Sequence, residues 1–273
     1  MPSIKVKHEY GYIRAGEYQL FTQCFKPSNQ SAMVILLHGY LDHAGSFNRL
    51  ITFLIENHFE VVCYDLPGHG LSSGERATIS SFEDYITSLQ VIYDRVVPSL
   101  TQRPYFIAHS TGAMIGLEFA KRSVERFAKM ALVAPLFRPP LWQLSKIGLL
   151  FTRKIMFINS FKRIFQTNSS DQDYLLFTKR DPLQEKRLPL SWLEALNKWL
   201  RFNDHHTSED LSFLMIQGDH DKTIDSKYGL KKVQESYPNS QVIIMGNGHH
   251  QLLNEGDVIR NQTFSILLKF LKG

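Results

Sequence analysis

Short apolar runs alternate with longer amphipathic stretches along most of this chain, and no other feature constrains its fold as strongly. The runs Tyr18–Phe25, Met33–His38, Glu60–Asp65, Tyr105–Ala108, Met130–Ala134, Phe213–Gln217 and Gln241–Met245 read as strands. Most are apolar throughout, the pattern of strands covered by helices on both faces. Strand, helix, strand in this order predicts an α/β architecture with a mostly parallel central sheet. The clearest helix starts at Ser80, three residues before Glu83 in capping-box spacing. Phe82, Tyr85, Ile86, Leu89, Ile92, Tyr93 and Val96 then share one face, and Pro98 ends it. A C-terminal helix carries Ile259, Ile266, Leu267 and Phe270 on one side.

One region breaks the alternation. Between about Phe137 and Phe202 no good strand appears, and aromatic, leucine and basic residues dominate, with helical patches such as Leu190–Leu200. The stretch lies between two strands and reads as a helical cap, residues 137–205, inserted into a core made of 1–136 and 206–273. Such a cap would cover the carboxyl edge of the sheet, where ligands of open α/β sheets bind. The length of 273 residues, with 43% hydrophobic and 21% charged, suits one α/β unit with a large core. Cys24 and Cys63 both lie inside strand runs and read as structural thiols, with no metal-site spacing. The charged N-terminus does not resemble a secretory signal, and no run of about 18 apolar residues occurs. The expectation is a soluble, cytoplasmic protein.

Ala108-His109-Ser110-Thr111-Gly112 follows a strand and precedes the helical run Ala113–Lys121. Strand, sharp turn and helix with serine at the turn is the layout of a nucleophile elbow, Gly-x-Ser-x-Gly, here with Ala108 in the first glycine position. The flanking positions must be small because strand and helix approach closely, and alanine meets that need. The competing reading is a serine that merely caps the helix.

A serine nucleophile needs a histidine to take its proton and a carboxylate to hold that histidine. In this arrangement acid and base follow the serine in chain order, after late strands. Gln217-Gly218-Asp219-His220-Asp221 follows one such strand, and Asp219, Asp221 and Asp225 compete for the acid role. Asp225 also suits the cap of the next helix. Gly246-Asn247-Gly248-His249-His250 follows the last strand and offers two adjacent histidines, of which one can face the serine.

These motifs resemble the monoacylglycerol lipase and lysophospholipase group of α/β-hydrolases, over nearly the whole chain except the expected cap. His38-Gly39-Tyr40-Leu41-Asp42-His43-Ala44-Gly45-Ser46-Phe47 is similar to that group's His-Gly-…-Glu-His-Ser-Gly-Arg-Tyr segment. Asp65-Leu66-Pro67-Gly68-His69-Gly70-Leu71-Ser72-Ser73-Gly74 is similar to its Asp-x-x-Gly-His-Gly-x-Ser-x-Gly stretch. The resemblance implies the α/β-hydrolase fold, Asp221 as acid through Gly218-Asp219-His220-Asp221, and His250 as base through the His-x-x-Leu-x-Glu ending at Glu255. Anchoring on Gly246 selects His249 instead; the downstream match is longer. Ala108 at the elbow occurs in the group, whereas Tyr40 stands where a small residue is frequent and its ring is expected to narrow the site. The backbone N–H groups of Tyr40 and Thr111 would form the oxyanion hole, each such donor being worth about 3 kcal/mol of transition-state stabilisation. His69, between two glycines, is expected to organise a loop.

The expected function is hydrolysis of carboxylic esters of single-chain lipids, monoacylglycerol or lysophospholipid, through an acyl-enzyme and without cofactor or metal. A short-chain esterase or thioesterase is the alternative among enzymes, and a non-catalytic binding protein of the same fold is the alternative outside them. In the cap, Leu141, Trp142, Leu144, Ile147, Leu149, Leu150, Phe151, Ile155, Met156, Phe157, Ile158, Phe161, Ile164 and Phe165 interleave with Lys146, Arg153, Lys154, Lys162 and Arg163. That mixture fits peripheral contact with an anionic membrane and equally fits packing of the cap on the sheet by snorkelling side chains. The net charge of +5 is mixed with aliphatics and accompanied by no recognition motif, which argues against nucleic acid.

Overall fold

A computed structural model describes residues 4–97, 102–123, 125–142, 159–163, 167–203 and 210–273. The seven expected strands all form, as β2 (Tyr18–Pro27), β3 (Ala32–Leu37), β4 (Phe59–Tyr64), β5 (Tyr105–His109), β6 (Lys129–Val133), β9 (Leu214–Gly218) and β10 (Gln241–Met245). With β1 (Val6–Ala15) they make an eight-stranded sheet in the order β1-β2-β4-β3-β5-β6-β9-β10. Every pairing from β4 to β10 is parallel, and β1 and β2 add an antiparallel edge.

Strand β1 has no counterpart in the sequence reading. Most of its side chains are exposed, including Tyr10 and Tyr12, so it carries no buried stripe to read. Its place is fixed by backbone pairing to β2, from Val6 opposite Pro27 to Ala15 opposite Tyr18, closed by Gly16 at φ 60°.

The period of two sorts the central strands onto two cores. Ile35 and Leu37 of β3 face one side, with Val62, Phe106 and Ala108. Helices α2 (Phe82–Val96) and α3 (Thr111–Lys121) cover that side. Val34 and Leu36 face the other, with Val61, Cys63 and Ile107, under α1 (Asn48–Glu56) and the C-terminal helix α7 (Asp257–Lys272). Along α7 the buried line is Thr263, Phe264, Leu267 and Leu271; Ile259, Ile266 and Phe270 are only partly buried beside it. Cys24 and Cys63 are free thiols on β2 and β4.

The stretch expected to be a helical cap without good strands contains helices α4 (Gln172–Arg180) and α5 (Leu190–Asn203), but also two strands, β7 (Ser160–Lys162) and β8 (Arg187–Pro189). They pair antiparallel in a separate two-stranded sheet, which corrects the reading of that region as strandless. Three-residue strands with exposed Lys162 and Arg187 leave no periodicity to detect. Residues 143–158 and 164–166, which hold most of the apolar and basic residues noted there, lie outside the described residues. Helix α5 packs inward: Trp192, Ala195, Leu196 and Trp199 join the core on the α2 side, and Trp199 stacks on Phe82 at 4.9 Å. Among the described residues no helix is long and apolar enough to cross a membrane.

The cap of α2 is one residue later than expected. Ser81 is the N-cap, accepting from the N–H of Glu83, while the Ser80 hydroxyl donates to Asp84. Ser81→Ala should therefore destabilise the protein by about 1 kcal/mol, and Ser80→Ala by clearly less, as read from denaturant midpoints. Equal losses would contradict this placement of the cap.

Candidate active site

Ser110 sits between the end of β5 and the start of α3 with φ 53° and ψ −116°. A non-glycine residue there is strained, and such strain gathers at functional sites where the surroundings over-determine it. The surroundings here are specific. The Ser110 N–H donates to the Val133 carbonyl of β6 at 3.0 Å, and the Ser110 carbonyl accepts from Leu136. Gly112 lies so close to the chain after β3 that a Cβ on it would stand 2.3 Å from the His38 carbonyl oxygen. The Ser110 hydroxyl makes no capping bond to α3, so the simple helix-cap reading fails.

His250 lies in the loop after β10. Its Nε2 is 3.1 Å from Ser110 Oγ, and its Nδ1 is 2.8 Å from Asp221 Oδ2. All three side chains are buried. Asp221 Oδ2 also accepts from Gln217 Nε2 at 2.9 Å, and Oδ1 accepts from the N–H of Thr223 at 2.8 Å. Burial pushes the Asp221 carboxyl up, but the charge of His250 and these donors outweigh it and pull it down to about 2. The other carboxylates of this loop face elsewhere. Asp219 pairs with His220 at the surface, and Asp225 caps helix α6 (Ser226–Ser236) while bonding Arg138.

The neighbouring histidine is held away. His249 Nδ1 is 2.8 Å from Glu255 Oε1, and its own N–H donates to the same oxygen at 2.6 Å. Glu255 is buried and also accepts from Ser170. The loop that carries His250 is thereby pinned to the chain before α4. A second tie was not visible in the sequence: His109 Nε2 donates to the His250 carbonyl at 3.0 Å. Neither Gln217 nor His109 carries a motif that reveals these bonds; only the fold brings them to the site.

Tyr40 and Thr111 border Ser110 in a single cavity of about 760 Å³. Among the described residues neither backbone N–H has a backbone carbonyl partner. The Tyr40 ring is fixed rather than loose: it stacks on Trp192 at 3.6 Å, and its hydroxyl donates to the Ala77 carbonyl. Leu136, Phe161, Leu175, Leu188 and Leu193 add an apolar lining. One wall is a buried polar network. Asp42 accepts from Ser46 and from Gln184, His43 bonds Asp181 at 2.6 Å, and Arg163 donates to the carbonyls of Leu41 and Glu185.

Two further histidines are structural. His38 accepts from Leu66 through Nε2, which leaves Nδ1–H to donate to the Gly39 carbonyl. His69 bonds the Pro67 carbonyl inside its glycine-flanked loop, the organising role expected of it.

The order of strands, the elbow, and the serine at its tip define a serine hydrolase of the α/β-hydrolase fold. The family described as "Serine aminopeptidase, S33" matches residues 28–257, and the chain belongs to it. The expected kinship with the monoacylglycerol lipase and lysophospholipase group is borne out. The chain is 26% identical over 250 residues to a monoglyceride lipase of Rattus norvegicus, covering 88% of this chain and 82% of the relative. It is 22% identical over 240 residues to a phospholipase of Bacillus subtilis, covering 85% and 92%. A soluble variant of monoglyceride lipase from Saccharomyces cerevisiae, solved with a substrate analog, shares the fold at a TM-score of 0.78. That match has 17% identity and covers 96% of this chain and 94% of that one.

The buried imidazoles set the acid limit of the fold. Burial pulls His38 down from its ordinary 6.5 to about 4, and His69 and His109 to about 3. The unfolded chain takes up these protons below 6.5 and the folded one does not, so stability is full above that value and falls toward pH 4. The loss at pH 5 should be roughly 2 kcal/mol per imidazole. Asp221 adds a further loss below its ordinary 3.8, toward 2. Denaturant midpoints should drop clearly from pH 7 to pH 5; a flat profile would contradict the neutral burial of these side chains.

Proposed function

We propose that Ser110, His250 and Asp221 are nucleophile, base and orienting acid in the hydrolysis of carboxylic esters of single-chain lipids, of the monoacylglycerol or lysophospholipid type. The observation that carries this reading is the hydrogen-bonded line from Asp221 through His250 to Ser110, ending in an apolar-lined cavity. His250 Nε2 takes the Ser110 proton as Oγ attacks the ester carbonyl. The N–H groups of Tyr40 and Thr111 receive the oxyanion, His250 returns the proton to the leaving alcohol, and water then releases the fatty acid. Asp221 holds the imidazole in the tautomer that leaves Nε2 free to accept, and it stabilises the charged ring.

The cavity supports the lipid part of the reading. At about 760 Å³ it has room for an acyl chain, which disfavours a site built for acetate-sized esters. The rat relative is a monoglyceride lipase and the Bacillus relative a phospholipase. A complete set of acid, base and nucleophile disfavours a protein that only binds. Residues 137–205 would serve as the cap over this cavity, with the core in 1–136 and 206–273, since α4, α5, β7 and β8 supply part of its wall. Peripheral contact with a lipid surface is supported by Leu176 and Phe177, which are 49% and 45% exposed on α4 beside Lys179 and Arg180.

Ser110→Ala should abolish labelling by a fluorophosphonate probe and lower kcat/KM on a monoacylglycerol by about 10⁴-fold or more. His250→Ala should do likewise, whereas His249→Ala should retain most activity. Labelling that survives Ser110→Ala would falsify the assignment of the nucleophile, and the reverse pattern between the histidines would reassign the base. Across p-nitrophenyl esters, kcat/KM should rise from acetyl toward medium and long acyl chains; a maximum at acetyl would remove the lipid reading.

A further inference from the structure

The cavity that holds Ser110 has a charge pattern that hydrolysis of a neutral ester does not require. Lys162 on β7, Lys179 on α4 and Lys222 in the loop after Asp221 all line it, from three separate elements. All three are exposed, and among the described residues none has a hydrogen bond or ion-pair partner. Elsewhere on this protein many cations are matched: Arg49 by Asp171, Arg76 by Glu185, Arg138 by Asp225, Lys121 by Glu118. Of the described residues lining the cavity only Asp42 is a carboxylate, and Ser46, Gln184 and the His43 N–H already donate to it. Arg163 also lines the cavity, but it donates to Leu41, Gln184 and Glu185 and so holds the wall together. The lysines therefore leave a net positive field over an apolar cleft, and low-dielectric walls focus such a field on whatever enters.

Resting on the hydrolase reading, we propose that this cavity selects single-chain lipid esters whose alcohol carries a phosphate, with Lys162, Lys179 and Lys222 as the specificity-determining residues. Phosphate suits the charge of this cavity because its anionic oxygens are drawn by the summed field of the lysines, whereas a glycerol head group leaves all three uncompensated. The apolar lining takes the acyl chain and the serine takes the ester carbonyl, as for any ester of this class. What the lysines add is discrimination through the leaving group.

Hydrolysis-resistant ethers test this without depending on catalysis. 1-O-octylglycerol and 1-O-octylglycerol phosphate, kept as monomers below their aggregation concentrations so that no charged lipid surface forms, would be titrated calorimetrically into the 273-residue chain. The phosphate should bind about ten-fold more tightly, and added salt should shrink the difference. Lys162→Met, Lys179→Met and Lys222→Met should each erode the preference, and the triple change should remove it. The triple change to arginine should keep it, which separates loss of charge from loss of fold. Equal affinity for the two ethers in the unmodified protein, or a preference that survives the triple methionine change, overturns the proposal. Hydrolysis of octanoylglycerol and of octanoylglycerol phosphate, both measured in parallel, keeps the two readings apart. No hydrolysis with the binding preference intact sinks the hydrolase reading alone; hydrolysis without the preference sinks this one alone.

Discussion

The close approach of helix α3 to the chain leaving β3 is the constraint on which the site depends. Gly112 is pressed against the His38 carbonyl, and Gly39 against the Ser110 side chain, where an added Cβ would stand 3.0 Å from Ser110 Cβ. Two backbone segments from adjacent strands can meet at that distance only if neither carries a side chain there. The consequence is chemical as well as steric. The segment after β3 carries Tyr40 and the start of α3 carries Thr111, so this contact brings the two residues proposed as oxyanion donors into the cavity that holds Ser110. Parallel pairing of β3 with β5, Leu37 opposite Ala108, brings the two strand ends level so that this can happen.

The bearings of the wall above the cavity come from a different kind of interaction. Residues 42–76 and 181–185 meet through polar contacts spanning more than 100 residues of chain: His43 with Asp181, Asp42 with Gln184, Arg76 with Glu185. Apolar contact fixes the other side, where Trp192 stacks on Tyr40 and Trp199 on Phe82. Buried polar contacts depend on direction, so this side of the wall is specified by hydrogen-bond geometry and the other by ring packing.

The sequence was most legible where one physical requirement governed many residues. Strands covered on both faces leave unbroken apolar runs, and β3, β4 and β5 were recognisable for that reason, within one or two residues at their ends. The elbow was legible because it needs small residues at fixed offsets around Ser110. Strand β1 was hidden because an exposed edge strand buries almost nothing, and β7 and β8 because three residues cannot show a period. Ser80 and Ser81 compete as caps with similar chemistry, and only the fold decides between them. The adjacent histidines pose the same problem. Local chemistry does not distinguish His249 from His250; the buried carboxylate of Glu255 does, by holding one ring while the other meets Ser110. Gln217 and His109 act through contacts that no spacing rule encodes.

The bond from His109 to the His250 carbonyl has a mechanical meaning. His109 is the residue immediately before Ser110, so the loop bearing the imidazole hangs from the same turn that bears the hydroxyl. The hydroxyl and the imidazole are therefore referenced to each other through one short path of bonds, rather than only through the rest of the sheet. The two side chains, 140 positions apart along the chain, share one point of suspension.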